Sequence, residues 1–288
     1  MNRAKPPGKP GTLYLIGTPI GNLEDVTHRA LRILKEADII AAEDTRVTRR
    51  LLDRYGIRTP LVSYHEHSRR QRLEALVAMA REGKQVALVS EAGMPGISDP
   101  GAHLVRAYVE AQIPVVVVPG PTAVSAALAV SGFPAQHYVF LGFLPGRSAA
   151  RREVLRRAAA SLTGPIICFE APHRLRKSLE DMCAVLGDRQ AMCARELTKR
   201  FEEVVRGTIS DLIAHFSQHE PRGEMTVVLA GAPAAQAEAD MSQALGEVRE
   251  LVNAGLPASR AVAHVAKRAK MPRRDLYRAY LEAQEKRE

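Results

Sequence analysis

Short apolar segments alternate with helical segments from residue 12 onward, and this alternation is the strongest constraint that the sequence places on the fold. Strand-like apolar runs occur at 12–16, 38–42, 86–89 and 115–118. Between them, apolar residues recur at helical spacing around 26–37, 70–81 and 103–111. Strands that alternate with helices form a largely parallel sheet that helices cover on both faces.

A second block of strands and helices begins near Tyr138. Strand patterns occur in YVFLGFL, PIICFE, QAMCAREL and EMTVVLAG, with helical patterns at 151–161 and 173–186. FEEVVRGTI alternates in polarity and predicts a further strand that leads into a helix at 210–219. The sequence therefore predicts an α/β fold with two α/β domains.

The chain after the second block changes in composition. GAPAAQAEA has no periodic signal and is typical of a linker. Apolar residues then follow helical spacing behind a candidate cap at Ser259, Met271-Pro272 interrupts the pattern, and the spacing resumes at Leu276. Such a pair resembles a helix-turn-helix, although many helical hairpins bind no nucleic acid. We predict these segments: flexible N-terminus 1–11, α/β domains 12–120 and 121–232, linker 233–240, and helical RNA-docking tail 241–288.

The net charge of +9 favours a polyanionic partner. Segment 147–157 holds five arginines against one acid, and segment 260–278 holds seven basic residues against one acid. Each block is equally consistent with a solvated surface. The three cysteines fit buried apolar positions better than disulfides or a zinc site. Without a long apolar run or a signal core, we expect a cytoplasmic protein that does not enter membranes.

Three predicted strands end in loops rich in glycine and proline. GTPIGN follows Ile16, SEAGMPGISDPG follows Val89, and PGPTAVSAAL follows Val118. The carboxyl ends of parallel strands border the ligand crevice of such a sheet, and glycine allows a ligand to approach the backbone closely. We therefore expect a bound cofactor here, although tight turns into helices also need glycine. We expect the second loop to lie outside the core.

The common cofactor motifs do not identify the ligand. GTPIGN does not match the dinucleotide pattern, and neither a P-loop nor a nucleophile elbow occurs. His65 and His67 could face the same way from an extended segment, but such a pair is more often a surface feature than a metal site. We predict no bound metal.

Eight motifs resemble, in order and spacing, those of the tetrapyrrole-methylase superfamily, and within it the enzymes that methylate a cytidine 2'-hydroxyl in bacterial 16S ribosomal RNA. The resemblance extends from about Leu13 to Gly231 and more loosely through the tail. The motifs are GTPIGNLEDVTHRAL, AAEDTR, YHEH, SEAGMPGISDPG, VPGPTAVSAAL, FEAPHRL, RELTKRFEE and GEMTVVLAG.

This resemblance implies a homodimer that holds S-adenosylmethionine in a cleft between two α/β domains. It also implies a partner, the 16S RNA of the small ribosomal subunit, with the methylated cytidine in the decoding region. Carried over by position, the implied donor contacts are Pro19, Ser90, Glu91, Ala92, Gly93, Ile97, Thr122, Ala123, Phe169, Glu170, Leu197, Met225 and Thr226.

A ribose hydroxyl is a poor nucleophile, so a general base or a group that stabilises the developing alkoxide would assist the transfer. The candidate catalytic residues are Lys199, Glu196 and Glu170. The candidate substrate-binding residues are Asp44, Thr45, Arg46, His65, His67 and Arg174. A structural salt bridge is the alternative role for the charged groups.

The basic blocks favour an RNA substrate over a small corrin-like substrate. Two other functions remain open at the level of sequence. One is a C-methyltransferase that acts on a tetrapyrrole, and the other is an RNA-binding protein without turnover.

Overall fold

The computed structural model describes residues 10–65, 69–161, 164–231, 234–269 and 271–285. The chain divides into two compact units. The first comprises Met1–Ala126 and Glu196–Glu202, and the second comprises Ala127–Arg195 and Glu203–Glu288. This division falls six residues beyond the predicted boundary after residue 120, and it assigns a short segment between two strands of the second unit to the first unit.

The first unit contains a five-stranded sheet in which every pair of neighbours is parallel. The strands are β1 (Leu13–Ile16), β2 (Ile39–Ala42), β3 (Leu61–Ser63), β4 (Val86–Val89) and β5 (Val115–Val118), in the order β3-β2-β4-β1-β5. The parallel sheet and four of its strands are thus confirmed. The fifth strand, β3, has only three residues, too few for the periodicity of a strand to be recognised.

Helices cover both faces of this sheet. Consecutive residues of each strand point to opposite faces, so each strand contributes to two apolar cores. Along β4, Ala87 and Val89 belong to one apolar core, whereas Val86 and Leu88 belong to another. The helices are α1 (His28–Glu36), α2 (Thr45–Arg54), α3 (Arg69–Arg81), α4 (Gly101–Glu110) and α5 (Ala123–Ser131), the last of which leads the chain into the second unit.

The second unit contains a mixed sheet in which only the first two strands are parallel. Its strands are β6 (Val139–Phe143), β7 (Ile166–Glu170), β8 (Gln190–Arg195), β9 (Glu203–Thr208) and β10 (Met225–Leu229), in the order β6-β7-β10-β8-β9. Its helices are α6 (Ser148–Ser161), α7 (Leu175–Leu186) and α8 (Ile209–Gln218). The second predicted α/β domain is confirmed, and β9 leads directly into α8 as its pattern predicted.

A buried ion pair joins α6 to α7. Arg151 donates from Nε to Asp181 at 2.8 Å, and both side chains are about 95% buried. Arg152 and Ser148 also donate to this carboxylate. Hydrogen bonds from these three partners outweigh the effect of burial and lower the pKa of Asp181.

Three further helices follow: α9 (Ala234–Asn253), α10 (Ala258–Ala269) and α11 (Arg273–Glu285). They share an apolar core that includes Val248, Val262, Val265 and Leu276. Within the described residues, no helix is long and apolar enough to cross a membrane.

The helical tail is confirmed, with two corrections. The aperiodic tract predicted as a linker at 233–240 is helical from Ala234, because alanine, glutamine and glutamate favour a helix without any apolar stripe. The predicted cap Ser259 lies inside α10, since the carbonyl of Pro257 already accepts from the amides of Arg260 and Ala261.

Candidate functional site

The three glycine-rich loops meet at one edge of the first sheet. They follow β4, β1 and β5, which are neighbours in the sheet, so their carboxyl ends lie side by side. Thr18 and Gly93 exchange two backbone hydrogen bonds of 2.9 and 3.1 Å. A Cβ atom on Gly17 would lie 2.7 Å from the backbone of Gly120. Glycine is therefore required here for two loops to touch, which supports the predicted convergence.

The loop after β4 is held by its own side chains and by Thr18 of the loop after β1. Ser90 and Thr18 donate hydroxyl hydrogen bonds of 3.3 Å to the carbonyl of Gly93. The carboxylate of Asp99 accepts from the amides of Gly96 and Gly101. Asp99 thus stabilises the loop, while the other carboxylate of the motif, Glu91, is exposed.

Gly93 corrects the expectation that this loop lies outside the core. The residue is buried, and its φ of +80° lies in the left-handed region that side chains avoid. The conformation of Gly93 therefore contributes to folding as well as to any ligand site.

The segment Glu196–Glu202 lies against the loop after β1, within the same unit. A Cβ atom on Gly21 would lie 2.8 Å from the carbonyl oxygen of Leu197 and 2.5 Å from Cγ of Lys199. Glu196 and Thr198 adopt positive φ angles of 52° and 67°, which are unfavourable for residues with a side chain. Strain of this kind is found where a structure must present particular groups.

Lys199 and Glu196, two predicted catalytic residues, form an ion pair. Nζ of Lys199 lies 2.9 Å from Oε1 of Glu196, and both side chains are about three-quarters buried. A carboxylate at this distance favours the charged ammonium. The pair therefore suits a donor that stabilises negative charge better than it suits a neutral amine base.

A carboxylate that the sequence-based interpretation did not select lies at the same sheet edge. Glu43 follows β2 directly, and its pKa is raised above its ordinary value by burial and then by the nearby charges of Glu91 and Asp99. Its position after a strand, within AAEDTR, was the available signal. The predicted substrate-binding residues are the next three, Asp44, Thr45 and Arg46.

Those three residues begin α2. Asp44 caps the helix by accepting from the amide of Arg46 at 2.7 Å and also pairs with the Arg46 guanidinium. These hydrogen bonds lower the pKa of Asp44 to about 2. Thr45 is the first residue of the helix, and the side chain of Arg46 is 88% exposed. Of this group, Arg46 is the side chain most open to a ligand.

In the second unit, four predicted donor contacts lie on two paired strands. Thr226 is paired with Phe169, and Met225 is paired with Glu170. The ring of Phe169 packs against those of Phe140 and Phe143, with centroids 4.9 and 5.5 Å apart.

Both oxygens of the Glu170 carboxylate accept hydrogen bonds within the second unit. The carboxylate accepts from the Ala171 amide at 2.8 Å, from Nε of Arg174 at 2.7 Å and from the Ser178 hydroxyl at 2.5 Å. Arg174 also donates to the carbonyl of Leu144 at 2.6 Å. This geometry favours a structural anchor for both side chains over proton transfer by Glu170 or substrate binding by Arg174.

The remaining predicted residues have varied surroundings. Thr122 caps α5 as predicted, by accepting from the Ser125 amide at 3.1 Å, and Ala123 begins that helix. Pro19 is buried and Ala92 is exposed. Ile97 is 47% exposed. His65 follows β3, and His67 lies outside the described residues.

No cluster of three or more metal-ligating side chains occurs in the described parts of the chain. The first unit instead offers backbone carbonyls, hydroxyls, small side chains and the carboxylates Glu43 and Glu91 at one edge of its sheet. Such a set suits a small cationic ligand.

Comparison with known proteins identifies the class to which this fold and site belong. The family model of the tetrapyrrole (corrin/porphyrin) methylases matches residues 12–213. The chain therefore belongs to the tetrapyrrole methylase family.

Three relatives share 41–48% sequence identity with this chain over 77–94% of its length. A Synechocystis protein named ribosomal RNA small subunit methyltransferase I is 46% identical over 94% of this chain and 98% of its own. A Bacillus subtilis protein of the same name is 41% identical over 94% of each chain. A Thermotoga maritima protein of that name is 48% identical over 99% of its length but only 77% of this chain.

Solved structures support the fold. A cobalt precorrin-4 methyltransferase superposes with a TM-score of 0.58 at 19% identity, covering 76% of this chain and 94% of that chain. A uroporphyrin-III C-methyltransferase from Thermus thermophilus gives 0.54 at 23% identity, with coverage of 76% and 94%. At these identities the likeness establishes the shared fold alone.

Proposed function

We propose that this protein transfers a methyl group from S-adenosylmethionine to the ribose 2'-hydroxyl of a cytidine in the decoding region of 16S ribosomal RNA. One observation carries this proposal. Relatives that are 40–48% identical over most of the chain are named ribosomal RNA small subunit methyltransferase I. The resemblance of the eight motifs supplies the cytidine and the 2'-hydroxyl.

The chemistry of the glycine-rich edge supports a cationic methyl donor. When bound, S-adenosylmethionine supplies an electrophilic methyl group on a positively charged sulfur. In the first unit, the proposed contacts are Pro19, Ser90, Glu91, Ala92, Gly93, Ile97, Thr122, Ala123 and Leu197. In the second unit, they are Phe169, Glu170, Met225 and Thr226.

Lys199 is the proposed catalytic residue, and Glu196 holds it. Transfer requires the hydroxyl oxygen to approach the methyl carbon opposite the sulfur, so alignment supplies much of the rate. The hydroxyl proton passes to solvent water as the methyl group is transferred, and the Lys199 ammonium stabilises the negative charge that develops on the oxygen. Glu196 keeps that ammonium charged and oriented through the 2.9 Å ion pair.

The charge distribution of the tail supports RNA docking there. Arg260, Lys267 and Arg274 are exposed, and none pairs with a carboxylate among the described residues. The arginines of segment 147–157 differ, because most of them pair with Asp181 or Glu153. Of the two basic blocks, the tail therefore has more charge available for phosphates. The proposal includes a homodimer and a cytoplasmic location, where ribosomal subunits assemble.

Three acceptors test the proposal. The purified protein is incubated with methyl-labelled S-adenosylmethionine and either small ribosomal subunits from cells lacking the protein, naked 16S RNA, or a uroporphyrinogen-like acceptor. We expect label in the RNA of the subunits, at one cytidine whose ribose becomes resistant to alkaline cleavage. Label in the tetrapyrrole alone would identify a C-methyltransferase, and RNA binding without donor binding would identify a protein without turnover.

A further inference from the structure

A surface pocket in the first unit lies beside the proposed catalytic lysine. It is lined by Gly21, Asn22, Leu23, Glu24, Arg54, Thr198, Lys199 and Arg200. The next residue of the chain, Phe201, is 69% exposed. We refer to Arg54, Arg200 and Phe201 as the Arg54–Phe201 surface.

The charge of this pocket favours an anion. Arg54 and Arg200 are exposed, and neither pairs with a carboxylate in the described ranges of the chain. Among the described residues that line the pocket, Glu24 is the one acid, whereas Arg54 and Arg200 are basic and Lys199 is paired with Glu196. A phosphate group would be attracted to such a pocket.

Phe201 adds an aromatic face to this basic pocket. A phenyl ring that is 69% exposed buries little of its apolar area in the described fold. The Arg200 guanidinium lies 5.5 Å from the centroid of the ring. Phe201 also lies in the segment Glu196–Glu202, in which Glu196 and Thr198 hold positive φ angles. The fold thus holds a strained turn and leaves its aromatic residue open to a partner.

We propose that the Arg54–Phe201 surface binds single-stranded RNA next to the methylated nucleotide, with a base stacked on Phe201 and phosphates on Arg54 and Arg200. Unpaired bases stack on aromatic rings and on guanidinium planes, whereas the backbone of the strand needs cations. This inference rests on the proposed function and extends it to a second contact outside the donor site. Lys199, which lines the same pocket, connects the bound strand to the reacting ribose.

Binding of a short single-stranded RNA to the full-length protein tests the stacking. We compare Phe201→Ala, Phe201→Leu and Phe201→Trp by fluorescence anisotropy, using one RNA with all its bases and one with abasic sites. Phe201→Ala and Phe201→Leu should weaken binding of the complete RNA by roughly 5- to 150-fold, and Phe201→Trp should not. Abasic RNA should bind the wild type and Phe201→Ala alike, because it offers no base to stack.

A matched pair of arginines tests the phosphate contacts. Arg54→Ala should weaken binding of both RNAs and reduce the salt dependence by about one unit of slope. Arg49→Ala removes the same charge from the same helix, α2, but Arg49 does not line the pocket. It should leave affinity and slope near those of the wild type. Equal effects of the two changes would overturn the phosphate assignment.

Two readouts separate this inference from the proposed function. Methyl transfer to small subunits by the wild type tests the function alone, and calorimetry with S-adenosylmethionine should give unchanged donor affinity for all these variants. If the wild type methylates small subunits but Phe201→Leu keeps full RNA affinity, the docking surface is overturned and the proposed function stands.

Sedimentation of each variant adds a further outcome. A change of oligomeric state in Phe201→Ala, without loss of RNA affinity, would assign this surface to a second copy of the chain.

Discussion

At the scale of single residues, Lys199 is the side chain on which the proposed mechanism depends most. Lys199→Met keeps most of the aliphatic stem and removes the charge, so folding and donor affinity should be preserved. Turnover should fall by roughly 10²-fold or more, the usual effect of losing a group that stabilises an oxyanion. Single-turnover kinetics with saturating donor measure this. A loss of less than about tenfold, with unchanged RNA affinity, would remove Lys199 from the mechanism.

Glu43 predicts a dependence of stability on pH. Burial, Glu91 and Asp99 raise the pKa of its carboxyl in the folded state, so the folded protein holds this proton more tightly than the unfolded chain does. Ionised Glu43 therefore destabilises the fold at pH values above its folded pKa, and the destabilisation disappears as pH falls below the ordinary value of 4.5.

Glu43→Gln should accordingly raise the thermal transition at neutral pH, and its advantage should shrink as the pH is lowered towards that of an ordinary glutamate. Glutamine keeps an oxygen that can accept a hydrogen bond. The exposed Glu82 is the control, since Glu82→Gln should change the transition little at any pH. An advantage of Glu43→Gln that is constant with pH would show that charge is not its cause.

At the scale of elements, the contact between the loop after β1 and segment Glu196–Glu202 requires a residue without a Cβ atom at Gly21. Gly21→Ala would place Cβ 2.8 Å from the carbonyl oxygen of Leu197, so the segment and Lys199 must move. We expect a stability loss of about 1–3 kcal/mol together with a clear fall in turnover. Gly246→Ala is the control, because a Cβ there meets nothing within 4 Å. Normal turnover in Gly21→Ala would show that the contact does not position the lysine.

The joint between α6 and α7 gives a separate prediction. Asp181→Asn would leave the buried Arg151 guanidinium without its counter-charge, at a cost of about 3–5 kcal/mol in urea unfolding. The exposed Glu153 also pairs with two arginines of α6, and Glu153→Gln should cost less than about 1 kcal/mol. Similar losses for the two variants would contradict the importance assigned to burial.

Elements with a strong apolar pattern could be predicted from the sequence, and those defined by distant contacts could not. The apolar runs that form β4 and β5 match the structure residue for residue. The start of α9 follows from helix propensity in a tract without apolar periodicity. The assignment of Glu196–Glu202 to the first unit depends on contacts with residues such as Gly21, 175 positions before Glu196, which no local pattern encodes.

The same distinction applies to the candidate site. Glycine-rich loops after strands predicted an edge where ligands bind, because sheet geometry alone brings those loops together. The pattern FEAPHRL could not reveal that the Glu170 carboxylate is occupied by Arg174 and Ser178, since that depends on how α7 packs. Motifs therefore predicted which loops converge, while the roles of the charged side chains required the packed structure.

At the scale of the whole molecule, we propose that the tail serves RNA docking and that the two α/β units serve the chemistry. Helices α9 to α11 have a core of their own, and the Thermotoga maritima relative has no counterpart to nearly a quarter of this chain. The proposed donor contacts all lie before residue 227. A protein that lacks residues 234–288 should therefore keep its donor affinity in calorimetry and its two α/β units.

Its interaction with RNA should weaken, because the deletion removes the exposed cations Arg260, Lys267 and Arg274. Each phosphate contact that is lost should lower the slope of log affinity against log salt by roughly 0.7–0.9. Arg260→Ala, Lys267→Ala and Arg274→Ala combined in the full-length chain are the matched variant, since they remove charge and leave the three helices in place. If the triple variant reproduces the lower slope, the charges act directly on RNA. If only the deletion weakens binding, while the triple variant retains the full salt dependence, the tail contributes through its packing and its role as a phosphate-binding surface is refuted.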